Sequence, residues 1–180
     1  QKAMEGDKDC GGMIACNYYS GEPVTGLEEG RPMFLRRPDS HLGLANFMRS
    51  HLYASLATLK IGLDILLKEE DVKIDSITGH GGLFKTKGVG QSILAAAMNA
   101  PISVMETAGE GGAWGMALLA AYMLFKKDGQ SLGDYLDSRV FAERKSETME
   151  PDPADVAGFE KYTKQYQACL AAEKAAVQAF

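Results

Sequence analysis

The sequence is short of the residues that build metal sites and disulfide frameworks. Its three cysteines, Cys10, Cys16 and Cys169, make an odd count with no CxxC spacing. That argues against a disulfide scaffold or a paired-cysteine metal site, and it fits reduced thiols in a cytoplasmic protein. The three histidines, His41, His51 and His80, stand at no ligand-like spacing, so no metal-binding residue is assigned. Basic charge is also scarce. Lys and Arg total 19 against 24 Asp and Glu, a net charge of −5, and the basic residues are scattered, so nucleic acid is not an expected partner. No apolar run reaches the roughly 18–20 residues that a membrane span requires, and no membrane partner is expected. The chain starts Gln1-Lys2-Ala3-Met4, neither an initiator methionine nor a signal peptide, and reads as a piece of a longer polypeptide. Catalytic signatures are missing too. There is no GxxxxGK[ST] phosphate loop, no GxGxxG followed by an acidic strand end, and no Ser-His-Asp set or carboxylate pair.

What the sequence does have is glycine in two clusters. The first is Gly79-His80-Gly81-Gly82-Leu83-Phe84-Lys85-Thr86-Lys87-Gly88, and the second is Gly109-Glu110-Gly111-Gly112-Ala113-Trp114-Gly115. Each follows a strand-like run and opens a helix-like one. Glycine lets a backbone approach a ligand where a Cβ would collide, and a helix start offers free N–H groups and a positive dipole end. Two such loops meeting at one cleft would make a nucleotide site. Gly81 and Gly82 would lie against a ribose or α-phosphate, with Lys85, Thr86 and Lys87 adding charge and a hydroxyl. Gly111 and Gly112 stand at the next helix start. A tight strand-to-helix turn that only needs small residues explains the first cluster equally well. Gly115 and Ala117 are expected to let a helix pack closely, Trp114 to lie in the core, and His80 to make a local hydrogen bond.

At 180 residues and 46% hydrophobic, the chain has the size of one domain. Residues 1–12 read as an extended lead-in segment and Met13 to Tyr19 as a strand or a buried extended stretch. Ser20 to Pro38, rich in glycine and proline, reads as a loop, with Glu28, Glu29 and Arg31 solvated. Asn17, Tyr18, Tyr19 and Glu22 are candidates to face a cleft. Asp39 or Ser40 would cap a long helix whose stripe is Leu44, Phe47, Met48, His51, Leu52, Leu56, Leu59, Leu63, Leu66 and Leu67. Then come a strand over 73–78, a helix over 89–99, a strand over 102–105, helices over 112–127 and 131–141, and a linker over 144–153. A last helix through Tyr162, Tyr166 and Leu170 covers 150–180, with Asp152 and Asp155 at its start. This alternation predicts an α/β layered domain.

In this order the motifs are familiar. Gly81-Gly82-Leu83-Phe84-Lys85-Thr86 with Gln91-Ser92-Ile93-Leu94-Ala95 resembles the second signature of the FGGY carbohydrate kinases. Asn99-Ala100-Pro101-Ile102 is similar to the strand approach that follows it. Glu106-Thr107 with the run Gly111 to Ala120 is similar to the family's Glu-Thr and Gly-Ala-rich helix. Asn17-Tyr18-Tyr19-Ser20-Gly21-Glu22 resembles its Tyr-Leu-Ser-Gly-Glu segment. The likeness runs over residues 10–125, and the segment Glu28 to Pro32 looks most like xylulokinase- and ribulokinase-like members. The resemblance implies an actin-like, ribonuclease-H-like ATPase domain with a mixed sheet flanked by helices. It implies that residues 1–180 are the second domain of a two-domain sugar kinase, holding ATP or ADP with Mg²⁺. Gly81 and Gly82 would contact ribose and α-phosphate. Phe84, Lys85 and Thr86 would border the adenine or phosphate pocket, and Gly111 and Gly112 would support the loop. The family's aspartate base, its first phosphate loop and most sugar contacts belong to the first domain, so no catalytic residue is assigned. The implied activity is transfer of the γ-phosphoryl group of ATP to a ketopentose hydroxyl, on xylulose or ribulose. A non-catalytic nucleotide-sensing or interaction module of the same fold is the alternative, and a homo-oligomer through the last helix stays open.

Overall fold

A long helix, α1 (Leu44–Lys68), and a longer one, α5 (Pro153–Ala179), frame a core between them. The computed structural model describes residues 1–74, 76–106, 109, 111–142 and 146–179. Strand β1 (Met13–Cys16) is buried along its whole length and pairs antiparallel with β2 (Met33–Arg36), Met13 opposite Arg36 and Cys16 opposite Met33. The expected loop over 20–38 therefore contains a strand. The rest of that segment holds a 3-10 turn, Pro23–Thr25, whose Val24 N–H is capped by the Glu22 carboxylate. Residues 1–12 are folded rather than extended. They form two 3-10 turns, Lys2–Glu5 and Cys10–Gly12, laid against α1.

The reason lies in α1. Its buried residues are Asn46, Arg49, Ser50, Tyr53, Ala54, Leu56 and Ala57, spaced three and four apart as one face requires. Fully buried Arg49 donates to the carbonyls of Ala3, Met4 and Gly6 and to the Tyr53 hydroxyl, and it pairs with Asp155 of α5. Asp155 is also reached by Lys8 at 2.8 Å. It thus joins buried Arg49 to exposed Lys8 and is more than a helix-start residue. Asp152 does the capping, accepting from the N–H groups of Ala154 and Asp155. Where α5 crosses the lead-in segment the backbones nearly touch. A Cβ on Gly158 would stand 2.2 Å from the Lys8 carbonyl oxygen. The expected cap of α1 is not there: Gly43 occupies the N-cap without a side-chain bond, while Ser40 bonds Arg37 and Gly12 instead.

The second half is a β-α-β unit: β3 (Ile77–Gly79), α2 (Val89–Met98) and β4 (Ile102–Met105). Strands β3 and β4 run parallel, Ile77 opposite Ile102 and Gly79 opposite Val104. Asn99 ends α2 in the left-handed region, φ 49°, a conformation asparagine tolerates. Strand β5 (Ser146–Met149) joins β4 antiparallel, Met105 opposite Ser146, so the expected linker over 144–153 contains a strand. Residues 144 and 145 lie outside the described ones, as do residue 75 of the expected strand over 73–78 and residue 180 of the last segment. The result is a mixed α/β arrangement, as expected. The core joins Tyr53 and Ala57 of α1, Ile93 and Ala97 of α2, Ile102 of β4 and Phe159, Tyr162 and Tyr166 of α5.

Helix α3 (Gly111–Phe125) has no buried residue among those described. Trp114 is half-buried, its ring centroid 6.1 Å from that of Phe141, and no atom lies within 4 Å of a Cβ placed on Gly115. Among the described residues, neither the core place expected for Trp114 nor the close packing expected at Gly115 is present. A short α4 (Leu132–Tyr135), capped by Ser131, runs into a π-helical turn, Leu136–Val140. No described helix is long and apolar enough to cross a membrane.

Candidate functional site

Strand β3 ends at Gly79, and the first glycine loop begins there. The ring of Phe84 lies over this glycine, 2.3 Å from where a Cβ would be, so the loop can fold back over the strand end only if position 79 has no side chain. Gly81 has φ 106° and ψ −174°, a conformation open to glycine alone. The chain then makes a 3-10 turn, Gly82–Phe84, closed by Phe84 and Lys85 N–H groups on the carbonyls of Gly81 and Gly82. Gly88, at φ 78°, starts α2. The turn is fixed to that helix, since Gly90 sits under the Leu83 carbonyl.

Strand β4 delivers the second loop beside the first. A Cβ on Gly111 would lie 3.3 Å from His80 Cβ, and one on Gly109 would lie 3.2 Å from Lys85 Cγ. The two glycine loops thus meet at the carboxyl ends of two parallel strands, the place where open α/β sheets hold ligands. Thr107, Ala108 and Glu110 of the second loop lie outside the described residues. At Gly81, Gly82 and Gly112 no atom stands within 4 Å of the Cβ position. Gly82 and Gly112 also lack a positive φ. Among the described residues, nothing requires glycine at those two positions.

A cavity of about 400 Å³ opens against the first loop, between the start of α2 and strands β4 and β5. Phe84 and Thr86 line it; Gly81, Gly82, Lys85, Gly111 and Gly112 lie outside its lining. Phe84 is half-buried and divides its ring between Gly79 and the cavity. Thr86 also borders a wider apolar groove of about 760 Å³, formed with Phe47, Met48 and His51 of α1. His51 is held there by Asn17 at 3.1 Å and by the rings of Phe34 and Phe47. Of the other residues expected to face a cleft, Tyr18 is buried with its hydroxyl on Thr58, Glu22 caps its turn, and Tyr19 is exposed to solvent.

Three cavity residues were not readable as site residues. Gln91 is buried and reaches β4 and β5; beyond its place in the family-like run Gln91 to Ala95, its signal is a polar residue on an apolar helix. Ser146 and Glu147 line the cavity from β5. Their strand sits in a charged stretch before Pro151 and Pro153, without an apolar alternation to reveal it. Glu147 pairs with Lys87 of the first loop at 3.2 Å.

The model of the FGGY family of carbohydrate kinases, C-terminal domain, matches residues 1–124. No curated protein sequence matches the chain. Among solved structures, the ligand-bound xylulose kinase from Lactobacillus acidophilus is 21% identical, with a TM-score of 0.68 over 95% of this chain and 33% of that one. Gluconate kinase from Lactobacillus acidophilus is 20% identical, with a TM-score of 0.69 and the same coverage. Plasmodium falciparum glycerol kinase with ADP is 19% identical, with a TM-score of 0.63 over 95% of this chain and 32% of that one. The chain therefore spans about a third of the length of these proteins. It shares their fold, the actin-like ATPase architecture that the motifs imply.

Proposed function

The chain belongs to the FGGY family of carbohydrate kinases, and we propose on that premise that it is the nucleotide-holding second domain of an ATP-dependent, cytoplasmic sugar kinase. Residues 1–180 form that domain, with 1–12 as its lead-in segment and 150–180 as its last helix. The observation that carries the reading is the open space at Gly82 and Gly112. Among the described residues neither position has a strained backbone or a neighbour, so glycine there leaves room for something outside the chain to approach. Gly81 and Gly82 would let a ribose and α-phosphate rest on the main chain. Lys85 would supply positive charge and Thr86 a hydroxyl, with Phe84 as an apolar border. Gly111 and Gly112 would hold the second loop and the start of α3 against the same ligand.

Bound ATP supplies the transferable phosphoryl group. What this chain contributes is binding and orientation, which account for much of phosphoryl-transfer catalysis. Among the described residues no group of three or more His, Cys, Asp or Glu side chains is placed to hold a metal ion. Mg²⁺ enters the proposal with the nucleotide's phosphates, and no side chain here is assigned to it. The acceptor is proposed to be a ketopentose, xylulose or ribulose, bound through the first domain, with closure of the two domains excluding water.

The test is an amide NMR titration with Mg·ADP to ~10 mM, a range suited to ~1 mM binding. Shifts centred on Gly81, Gly82 and Gly111 are expected. A folded spectrum that stays unchanged at those glycines would overturn the reading. The sugar is tested in the full-length parent, where xylulose or ribulose should be phosphorylated faster than gluconate or glycerol.

A further inference from the structure

A second, smaller cavity of about 250 Å³ lies between α5 and the β1–β2 pair. It shares no lining residue with the cavity or the groove at the first glycine loop. Ile14 of β1, Leu35 of β2 and Ala168 of α5 give it apolar walls, and Arg36 and Arg37 line it where β2 ends. The Arg37 guanidinium lies against Gly12, one nitrogen 3.1 Å from where a Cβ would stand, so glycine at that position leaves it room. Its main-chain N–H donates to the Ser40 hydroxyl, which in turn donates to the Gly12 carbonyl. Among the described residues its ionic partner is Asp39, 3.2 Å away, and both side chains are exposed; such a pair holds weakly. The Arg36 guanidinium has no ionic or hydrogen-bond partner among the described residues. Gln165 and Cys169 line the cavity from one face of α5, four residues apart. The Gln165 side chain makes no hydrogen bond among the described residues, and its Oε1 is sealed from solvent without a partner. Burial pushes the Cys169 thiol up, so it stays neutral and does not repel an anion.

We propose that this cavity binds a small organic phosphate, its head held by Arg36, Arg37 and the Gln165 amide and its carbon stem laid on the apolar walls. The site is separate from the nucleotide reading above and does not depend on it. The chain carries a net charge of −5, yet two adjacent cations and no buried carboxylate line this cavity. Two guanidinium groups suit a phosphate dianion, whose oxygens accept paired N–H bonds from each fork. The unused Gln165 amide hydrogens would donate to the same oxygens, ending an isolation that buried amides rarely show. A volume of about 250 Å³ equals about eight waters, which fits a phosphate with a stem of about four carbons. It falls below the roughly 300–1,000 Å³ of pockets for drug-sized ligands, so a nucleotide is too large. The apolar walls favour an organic phosphate over the inorganic ion, since each methylene taken from water adds about fourfold to affinity.

The experiment titrates butyl phosphate, inorganic phosphate and butanol, each to ~10 mM, a range suited to ~1 mM binding, into the full 180-residue chain. The main-chain amide of Gly12 and the side-chain amide of Gln165 are followed by NMR. Butyl phosphate is expected to shift both, with affinity at least about tenfold above that of inorganic phosphate, and butanol to shift neither. Arg36 is exposed and its guanidinium unpartnered among the described residues, so Arg36→Gln should keep the folded spectrum and weaken butyl phosphate at least about tenfold. Equal binding of the two phosphates, equal shifts with butanol, or an unchanged affinity in Arg36→Gln would each overturn the proposal. Shifts confined to Gly81 and Gly82 would overturn this site and leave the nucleotide reading standing.

Discussion

Replacing glycine by alanine separates ligand contact from backbone need, because the loop glycines differ in what a Cβ would meet. At Gly82 a Cβ meets nothing within 4 Å and φ is not positive. Gly82→Ala should therefore stabilise the fold by roughly 0.4–1 kcal/mol, through loss of freedom in the unfolded chain. Gly112 lies in the first turn of α3 with the same open space, and Gly112→Ala should gain up to ~1 kcal/mol of helix propensity. Gly81 is the contrast. At φ 106°, Gly81→Ala should cost about 1–3 kcal/mol in backbone strain. Gly79→Ala puts a carbon 2.3 Å from the Phe84 ring and should cost a similar ~1–3 kcal/mol by overpacking. If a nucleotide lies on the loops, the two stabilising changes must be the harmful ones for binding. A methyl group forced into an occupied contact costs about 1–3 kcal/mol, which weakens Mg·ADP roughly thirtyfold at the middle of that range. Urea denaturation followed by circular dichroism gives the stabilities, and NMR titration gives the affinities. The reasoning fails if Gly82→Ala and Gly112→Ala raise stability as expected and bind Mg·ADP as the unmodified chain does. The glycines would then be turn residues without a ligand role.

Two further outcomes concern the lead-in segment and what holds it to α1 and α5. Arg49→Met should destabilise the fold by about 3–5 kcal/mol in urea, because it strips the buried Asp155 carboxylate of one of its two cations and frees the carbonyls of Ala3, Met4 and Gly6; a loss under ~1 kcal/mol would show that the cluster does not hold α5 and the lead-in segment. The Asp7 carboxyl is held below its usual value of 3.8, chiefly by the Asn46 amide and then by His41. A depressed carboxyl stabilises the fold above its unfolded value and loses that contribution as pH falls through its folded value. Stability measured from about pH 5 down to about pH 3 should therefore drop less steeply in Asp7→Asn than in the unmodified chain, and parallel curves would contradict the assignment.

The parts legible in the sequence are those whose cause is local. Strand β4 occupies the expected residues because Pro101 and the left-handed Asn99 mark the end of α2 just before a short apolar run. The meeting of the glycine loops follows from β-α-β order, since parallel neighbours bring their carboxyl ends together. Strands β2 and β5 escaped because they are short edge strands whose pairing partners are distant in the chain. Nothing in Ser146 to Met149 announces Met105 opposite it. The same distance hides the cavity's two informative groups, since Gln91 takes its orientation from a carbonyl of β5. Helix α1 shows where pattern reading stops. Of its apolar stripe Leu56 is buried on the same side as Arg49, yet Leu44 is 64% exposed and Leu59 52%, while Arg49 has no exposed surface. A stripe of leucines specifies that some surface should cover it and is indifferent to which one. An arginine, by contrast, is buried only where a specific carboxylate and a set of carbonyls await it. Those partners come from Ala3, Met4, Gly6 and Asp155, two segments that periodicity along a helix cannot report. The face that α1 turns to the core therefore joins Tyr53, Leu56 and Ala57 to a buried charge pair whose partners lie far away in the chain.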